Sequence, residues 1–244
     1  MSFARRTGSL GAALAAAVIA AGVVAVCTAG EAEKEPPAPE WRIPRAAEAP
    51  AIDGVLDDAV WKAAKPVASG KLGPEKGREK LGDMHFDTTI KMAYDDKYLY
   101  IAVVNQEPQT DRLSVQYLNH EAQTWRDDAN IIDIRTEPGL EFYSIQFNSA
   151  GTVNDSYVWN ANPRGWKPKW DERWESHVKC VGRVTKDAWD LEMAIPWAGF
   201  PGGKDKATKD LRISLTRKRK ASYKSYKPNE CESGFVIGQI VLEK

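Results

Sequence analysis

The residues of this chain whose types could recognise a ligand are aromatic side chains that lie near polar ones. A pyranose ring has a face of axial C–H bonds that can rest on an indole, and its hydroxyls need amide, carboxylate or guanidinium partners. Trp125 and Asn130 could supply a stacking surface and a polar partner within one short segment. In the alternative, Trp125 only covers the edge of the fold.

Four of the nine tryptophans fall in one short segment. Pro163, Gly165 and Pro168 predict a loop there. The indoles either form a small secondary core or offer a platform for a polymer. In the second case, Trp166 and Trp170 are the expected contacts; the full set is Trp159, Trp166, Trp170 and Trp174.

A basic run, Arg217 to Lys220, is followed by Tyr223 and Tyr226. Basic and acidic residues are equal in number, 34 of each, so no net field favours nucleic acid. The run is therefore interpreted as a solvated hairpin end, in which Arg217 could also hydrogen-bond a ligand.

Metal and catalytic patterns are weak. Asp95 and Asp96 could bind calcium, but two carboxylates at this position are typical of a turn, and we assign no metal ligand. The three histidines show no metal-binding spacing. A glycosidase needs two facing carboxylates, and no pair is indicated among Asp127, Asp128, Asp133 and Glu172.

Strands must position these residues. In the segment 187–200, apolar residues recur at every second position up to Ile195, and Pro196 should end the strand. About ten short strands separated by turns predict an all-β fold, an antiparallel, jelly-roll-like β-sandwich with short helical turns. The other predicted strands are 88–94, 98–104, 130–135, 142–148, 152–159, 177–184, 211–215 and 235–242.

The first thirty residues resemble a secretory signal. Arg5 and Arg6 precede an Ala/Val-rich run that ends in small residues. A retained membrane anchor is the alternative, and Cys27 could carry a lipid. Residues 31–40, rich in Glu and Pro, predict a tether, and residues 41–244 the folded domain. We therefore expect an extracytoplasmic protein, whether periplasmic, cell-surface or secreted.

Four motifs occur in an order that resembles family 9 carbohydrate-binding modules, within the DOMON-like β-sandwiches. They are Ile-Asp-Gly-x-Leu-Asp-Asp-x-x-Trp from Ile52, Tyr-Asp-Asp-x-Tyr-Leu-Tyr from Tyr94, Trp-x-Asp-Asp from Trp125, and Trp-x-x-Glu-Met-Ala-Ile-Pro-Trp from Trp189. The likeness spans Pro50 to Leu242.

The resemblance implies a sugar held between two aromatic side chains, often in a module with structural calcium. Trp125 matches one stacking position, and Tyr223 or Tyr226 would be the second. The family places a glutamate on the strand after the Asp-Asp pair, where this chain has Asn130 and Ile131. We expect a non-catalytic domain that binds a mono- or oligosaccharide and assists a partner glycoside hydrolase in polysaccharide breakdown.

Two other function classes stay open. DOMON-like domains can hold haem through Met or His, and Met84, Met92, His120 and Met193 are the available ligands. A sandwich used only for protein contacts is the third possibility. In an oxidising compartment, Cys180 and Cys231 could form a disulfide or stay as thiols.

Overall fold

Two β-sheets make up most of the fold in a computed structural model that describes residues 38–74, 84–159, 168–220 and 232–244. The described residues belong to one compact unit, residues 37–244. The strands in chain order are β1 (Glu40–Ile43), β2 (Pro66–Gly70), β3 (Gly73–Pro74), β4 (Thr88–Tyr94), β5 (Tyr98–Gln106), β6 (Ala129–Arg135), β7 (Phe142–Asn148), β8 (Val153–Trp159), β9 (Lys169–Asp171), β10 (Lys179–Val184), β11 (Ala188–Pro196), β12 (Arg212–Arg219) and β13 (Glu232–Leu242).

The larger sheet has the order β1-β13-β12-β6-β7-β8-β9, with β3 added on β13, and the smaller sheet has the order β10-β11-β5-β4-β2. The paired strands are antiparallel, apart from β1, which runs parallel to β13. The predicted all-β sandwich is confirmed. The predicted signal segment, the lipid-anchor cysteine and residues 31–37 of the tether lie outside the described residues and stay predictions, whereas Glu40, the last tether residue, belongs to β1.

The core lies between the sheets, and alternate residues of the strands point into it. On β11, the four apolar residues Trp189, Leu191, Met193 and Ile195 are buried in the core. The ladder continues one residue further than predicted, since Pro196 still lies opposite Tyr98. A 3₁₀ turn, Trp197–Gly199, then ends the strand, and the indole N–H of Trp197 donates to Asp95 O at 3.0 Å.

The remaining face of β11 holds the start of the domain. The Glu192 carboxylate accepts the backbone N–H groups of Asp53 at 3.0 Å and Gly54 at 2.9 Å, and the indole N–H of Trp61 at 2.7 Å. Gly54 has a φ of +82°, a left-handed conformation that favours glycine. Glu192 therefore fixes both the turn at Gly54 and the short helix that follows it.

The helices are short. They are α1 (Ala59–Ala63) and α2 (Gly203–Ala207). From the sequence alone, Asp57 is a residue type that could cap the first, but the N-cap is Asp58, whose side chain makes no capping hydrogen bond. Trp61 is buried, so packing and Glu192 hold this helix. None of the described helices is long and apolar enough to cross a membrane.

Candidate functional site

Two consecutive aspartates fix the turn that carries Trp125. This 3₁₀ turn, Thr124–Arg126, packs against β6 and β7. Asp127 accepts the backbone N–H groups of Gln116 and Tyr117 at 3.0 Å, and Asp128 accepts that of Ser114 at 2.7 Å. Both carboxylates are buried. They therefore hold a loop in place by accepting backbone hydrogen bonds.

Trp125 lies beside the end of β12. Its side chain is partly buried. The backbone N–H of Lys220 donates to Asp128 at 2.6 Å, and the Lys220 ammonium lies 3.5 Å from Trp125 O. Tyr223 and Tyr226, the expected second stacking residues, lie outside the described residues. Trp125 thus keeps enough exposed surface to be a contact residue.

Asn130 and Arg217 lie inside the sandwich and not at its surface. They face each other across β6 and β12, and both are fully buried. Asn130 Oδ1 accepts the amide of Asn105 at 2.8 Å, and Arg217 donates to Gln106 O at 2.6 Å and to Asp87 O at 3.0 Å. Sequence reasoning placed these two side chains against the ligand. The alternation of β6, which buries Ile132 and Ile134 on the same face as Asn130, directs them instead between the sheets.

An ionic cluster closes this end of the interior. Arg219 donates to Glu232 at 2.8 Å and to Glu107 at 3.1 Å, and all three side chains are buried. Burial lowers the pKa of Arg217 to about 10, and the charge of Glu107 opposes this shift. The basic run is therefore partly an internal structure, because Arg217 and Arg219 point inward.

The outer face of the larger sheet carries two rows of side chains across four strands, and all but Ile131 are polar. They alternate with core residues such as Ile132, Ile145 and Leu215 and therefore point away from the core. Strand register aligns Ser214, Asp133, Ser144 and Ser156 in one row, and Thr216, Ile131, Gln146 and Asn154 in the next. We call these eight residues the polar face.

Part of the polar face lacks hydrogen-bond partners. Ser144 Oγ, Gln146 Oε1 and Ser156 Oγ are buried without a partner among the described residues. Buried polar groups in proteins nearly always have a partner, which can be protein, water or ligand. The three oxygens lie on the neighbouring strands β7 and β8, and the turn that carries Trp125 contacts β7 through a hydrogen bond from Thr124 Oγ1 to Gln146 O, at 3.3 Å. These three oxygens are therefore hydrogen-bond acceptors of the polar face that no described residue satisfies.

A second aromatic surface lies at the β8–β9 edge. Trp159 is 39% exposed and Trp170 48% exposed. Both line an open groove of about 610 Å³, together with Tyr157, Asp171 and Arg173. Trp170 packs edge-on against Phe142, with ring centroids 6.3 Å apart. This groove has aromatic and charged walls, as a polymer platform would.

The predicted tryptophan loop divides between core and surface. Trp174 packs on the core, 4.8 Å from Tyr143 and 6.1 Å from Phe200 between ring centroids. Trp166 lies outside the described residues. The core interpretation is therefore confirmed for Trp174, and a polymer platform at Trp159 and Trp170 stays a prediction.

The predicted calcium candidates are occupied by protein groups. Asp95 accepts the backbone N–H groups of Lys97 and Tyr98, each at 2.7 Å, and the Tyr100 hydroxyl at 2.7 Å. Asp96 pairs with Arg45 and Lys204, and their hydrogen bonds hold its pKa below the usual value. These two carboxylates build a turn and do not fit a calcium site.

The potential haem ligands divide between the core and the surface. Met84, Met92 and Met193 are buried in the core, whereas His120 is exposed. Cys180 packs against the core from β10, and burial raises the pKa of its thiol. Its predicted partner, Cys231, lies outside the described residues.

The sequence model of the family described as "carbohydrate family 9 binding domain-like" matches residues 52–244. The chain belongs to this family. No curated protein matches the sequence. The family 9 resemblance predicted from the four motifs is thus confirmed, and the domain belongs to a group of carbohydrate-binding domains.

Solved structures with a similar fold are distant in sequence. A Bacteroides uniformis protein proposed to bind carbohydrate has 9% identity to this family 9 domain and a TM-score of 0.60, over 84% of this chain and 99% of that one. Family 9 modules of Caldicellulosiruptor kristjanssonii in complex with cellotriose and with glucose each have 13% identity and a TM-score of 0.47. The cellotriose structure covers 84% of this chain and 93% of that one, and the glucose structure 83% and 95%. The first likeness shows the shared fold.

Sequence reasoning missed the polar face of this family 9 domain. The signal was present in β7, where Ser144 and Gln146 alternate with Tyr143, Ile145 and Phe147. Deciding which alternate set of residues on each strand faces the core would have excluded Asn130 from the site and selected Gln146.

Proposed function

We propose that this domain binds carbohydrate non-covalently on the polar face, with Trp125 as an aromatic contact. The observation that supports this best is the set of buried side-chain oxygens without partners, Ser144 Oγ, Gln146 Oε1 and Ser156 Oγ. Sugar hydroxyls can donate to such acceptors and rest an apolar ring face on an indole. The family membership of residues 52–244 supports the same ligand class.

We further propose that the domain does not catalyse a reaction. Asp127 and Asp128, the carboxylates closest in sequence to Trp125, are committed to backbone N–H groups and to Asn148 Nδ2, which donates to Asp127 at 3.1 Å. A carboxylate with several such donors is a poor general acid or base. The domain would then deliver or retain a mono- or oligosaccharide for a partner glycoside hydrolase in polysaccharide breakdown.

Export is part of the same proposal. The basic, apolar and small-residue pattern of residues 1–30 supports secretion, and Cys27 would allow a lipid anchor. Outside the cytoplasm the domain would have access to polysaccharides.

The test is a calorimetric titration of the full-length chain with a panel of mono- and oligosaccharides that includes glucose and cellotriose. We expect a ligand in the micromolar to millimolar range, about 4 to 8 kcal/mol of binding free energy. Trp125→Ala should weaken it about 30-fold, as loss of about 2 kcal/mol at an aromatic contact predicts. Gln146→Leu should weaken it about 5- to 10-fold through loss of one hydrogen bond of about 1 kcal/mol.

Trp170→Ala separates the two aromatic surfaces. It removes the most exposed described indole of the edge groove, which lies in register with Val158, and alters none of the eight residues of the polar face. Affinity for short sugars should stay within twofold of the wild type. If Trp170→Ala abolishes binding and Trp125→Ala does not, the ligand lies in the edge groove and the assignment to the polar face is wrong.

A further inference from the structure

Four potential metal ligands converge from three separate segments. They are His120 Nε2 and one carboxylate oxygen from each of Glu121, Asp155 and Glu175, and all four atoms lie within 4.8 Å of one another. Asp155 belongs to β8, His120 and Glu121 to the loop before the Trp125 turn, and Glu175 to the segment after β9.

Backbone hydrogen bonds hold the loop on β8. The Glu121 N–H donates to Val153 O at 3.0 Å, and Asn154 Nδ2 donates to Glu121 O at 3.2 Å. The Ser176 N–H donates to Asp155 Oδ2 at 2.7 Å, which brings the third segment to the same place. The convergence is therefore a property of the fold.

Asp155 supplies the observation that points to a ligand. It is 1% exposed, and its Oδ1 is buried without a hydrogen-bond partner among the described residues. An unpartnered buried carboxylate oxygen costs free energy unless a donor or a cation compensates it.

The local charge also favours a cation. His120 Nε2 lies 3.2 Å from Glu175 and 3.3 Å from Glu121, but one imidazole brings at most one positive charge to three carboxylates. A divalent ion among these groups would relieve the mutual repulsion of the carboxylates.

We propose that His120, Glu121, Asp155 and Glu175 bind a divalent transition-metal ion of the zinc type. One imidazole nitrogen with three carboxylate oxygens suits a four-coordinate zinc ion. Calcium takes six to eight oxygen ligands. The proposed ion thus differs from the calcium that the family resemblance implies. The ion would tie the Trp125 loop to β8 and to the segment that follows Trp170.

The experiment uses the full-length chain without a histidine tag, freed of metal by a chelator and dialysed. Calorimetric titration with ZnCl2 should give one ion per chain, with a Kd in the micromolar range or tighter, and the melting temperature should rise by several degrees because the ion binds the folded state. CaCl2 at the same concentrations should have at least 10-fold lower affinity.

His120→Ala and Glu175→Gln alter exposed side chains and should leave the fold intact. Each should weaken zinc binding at least 10-fold. His177→Ala and Glu172→Gln are matched controls, since both residues are exposed and lie outside the cluster, and they should leave zinc binding unchanged.

Three results would overturn the proposal. They are no binding at 100-fold molar excess of zinc, a zinc affinity that His120→Ala leaves unchanged, or tighter binding of calcium than of zinc. None of these results depends on sugar binding, so the metal site and the proposed function can fail separately.

Discussion

Replacement of Glu192 should destabilise the domain more than any other single carboxylate substitution on β11. Its carboxylate accepts three N–H groups at 2.7 to 3.0 Å, a part-buried one from Asp53 and buried ones from Gly54 and Trp61. Glu192→Ala leaves these three donors without an acceptor. Hydrogen bonds to a charged group contribute about 1.5 to 3 kcal/mol each, and non-additivity within one network reduces the total to about 3 to 5 kcal/mol.

The loss of these hydrogen bonds should loosen the first turn and helix locally and also lower the free energy of unfolding of the whole domain. Glu192 joins the turn at Gly54 and helix α1 to the smaller sheet, so the amides of Asp53 and Gly54 should exchange with solvent faster in the variant. Glu192→Gln keeps one acceptor oxygen but turns the other into an amide donor, and we expect a loss of about 1 to 3 kcal/mol.

Asp190 is the matched control, because it lies two residues away on the same face of β11. Its Oδ1 is buried without a hydrogen-bond partner among the described residues. Burial raises the pKa of Asp190 to about 6, and the charge of Arg183 opposes this. Asp190→Asn should therefore not destabilise the domain at pH 7, in contrast to Glu192→Gln.

The assay is urea unfolding at pH 7, followed by tryptophan fluorescence and by far-ultraviolet circular dichroism. Agreement of the two probes supports a two-state analysis. If Glu192→Ala lies within about 1 kcal/mol of the wild type, or if Asp190→Asn costs as much as Glu192→Ala, then the three hydrogen bonds do not carry the stability assigned to them.

Three further predictions concern other parts of the domain. Because the pKa of Asp190 is raised in the folded state, the stability that its protonated form contributes is present below pH 4 and is lost as pH rises through about 6. Asp190→Asn should thus be more stable than wild type by about 1 to 2 kcal/mol at pH 7 and equal to it at pH 4. Urea unfolding at both pH values measures this difference. The same difference in stability between variant and wild type at pH 4 and pH 7 would contradict this prediction. Gly182→Ala should cost about 2 to 3 kcal/mol, because an added Cβ would lie 2.4 Å from Ser149 O and 2.6 Å from Gly151 N; a variant that melts with the wild type would contradict this close approach. Glu107→Ala should cost about 3 to 5 kcal/mol by leaving Arg219 without one of its buried carboxylates, and a loss in the free energy of unfolding smaller than about 1 kcal/mol would show that Glu232 alone satisfies the guanidinium.

The sequence predicted the long strands well because each carries a full alternating pattern. Thr88–Tyr94 and Phe142–Asn148 occur with the predicted bounds. The strands β1, β2, β3 and β9 were missed, since they have two to five residues and are held by pairing with neighbours more than by their own pattern. Local periodicity cannot reveal such strands.

The candidate site was harder to predict than the fold. Trp125 and the Asp-Asp pair stand together in sequence, and the structure keeps them together. Asn130 was misplaced because a strand directs successive residues to opposite faces, so proximity in sequence to Trp125 says little about orientation. The cluster around Asp155 combines residues up to 55 positions apart, between His120 and Glu175, which no ligand spacing indicates.

The most direct test of the central claim is a ¹H–¹⁵N NMR titration of the full-length chain with the tightest-binding oligosaccharide of the panel. Binding on the polar face predicts that the largest shift changes occur at the backbone amides of Ser144, Gln146 and Ser156, at the Gln146 side-chain amide and at the indole N–H of Trp125. Changes confined to the edge groove around Trp170, to the smaller sheet, or absent at saturating sugar would contradict the account.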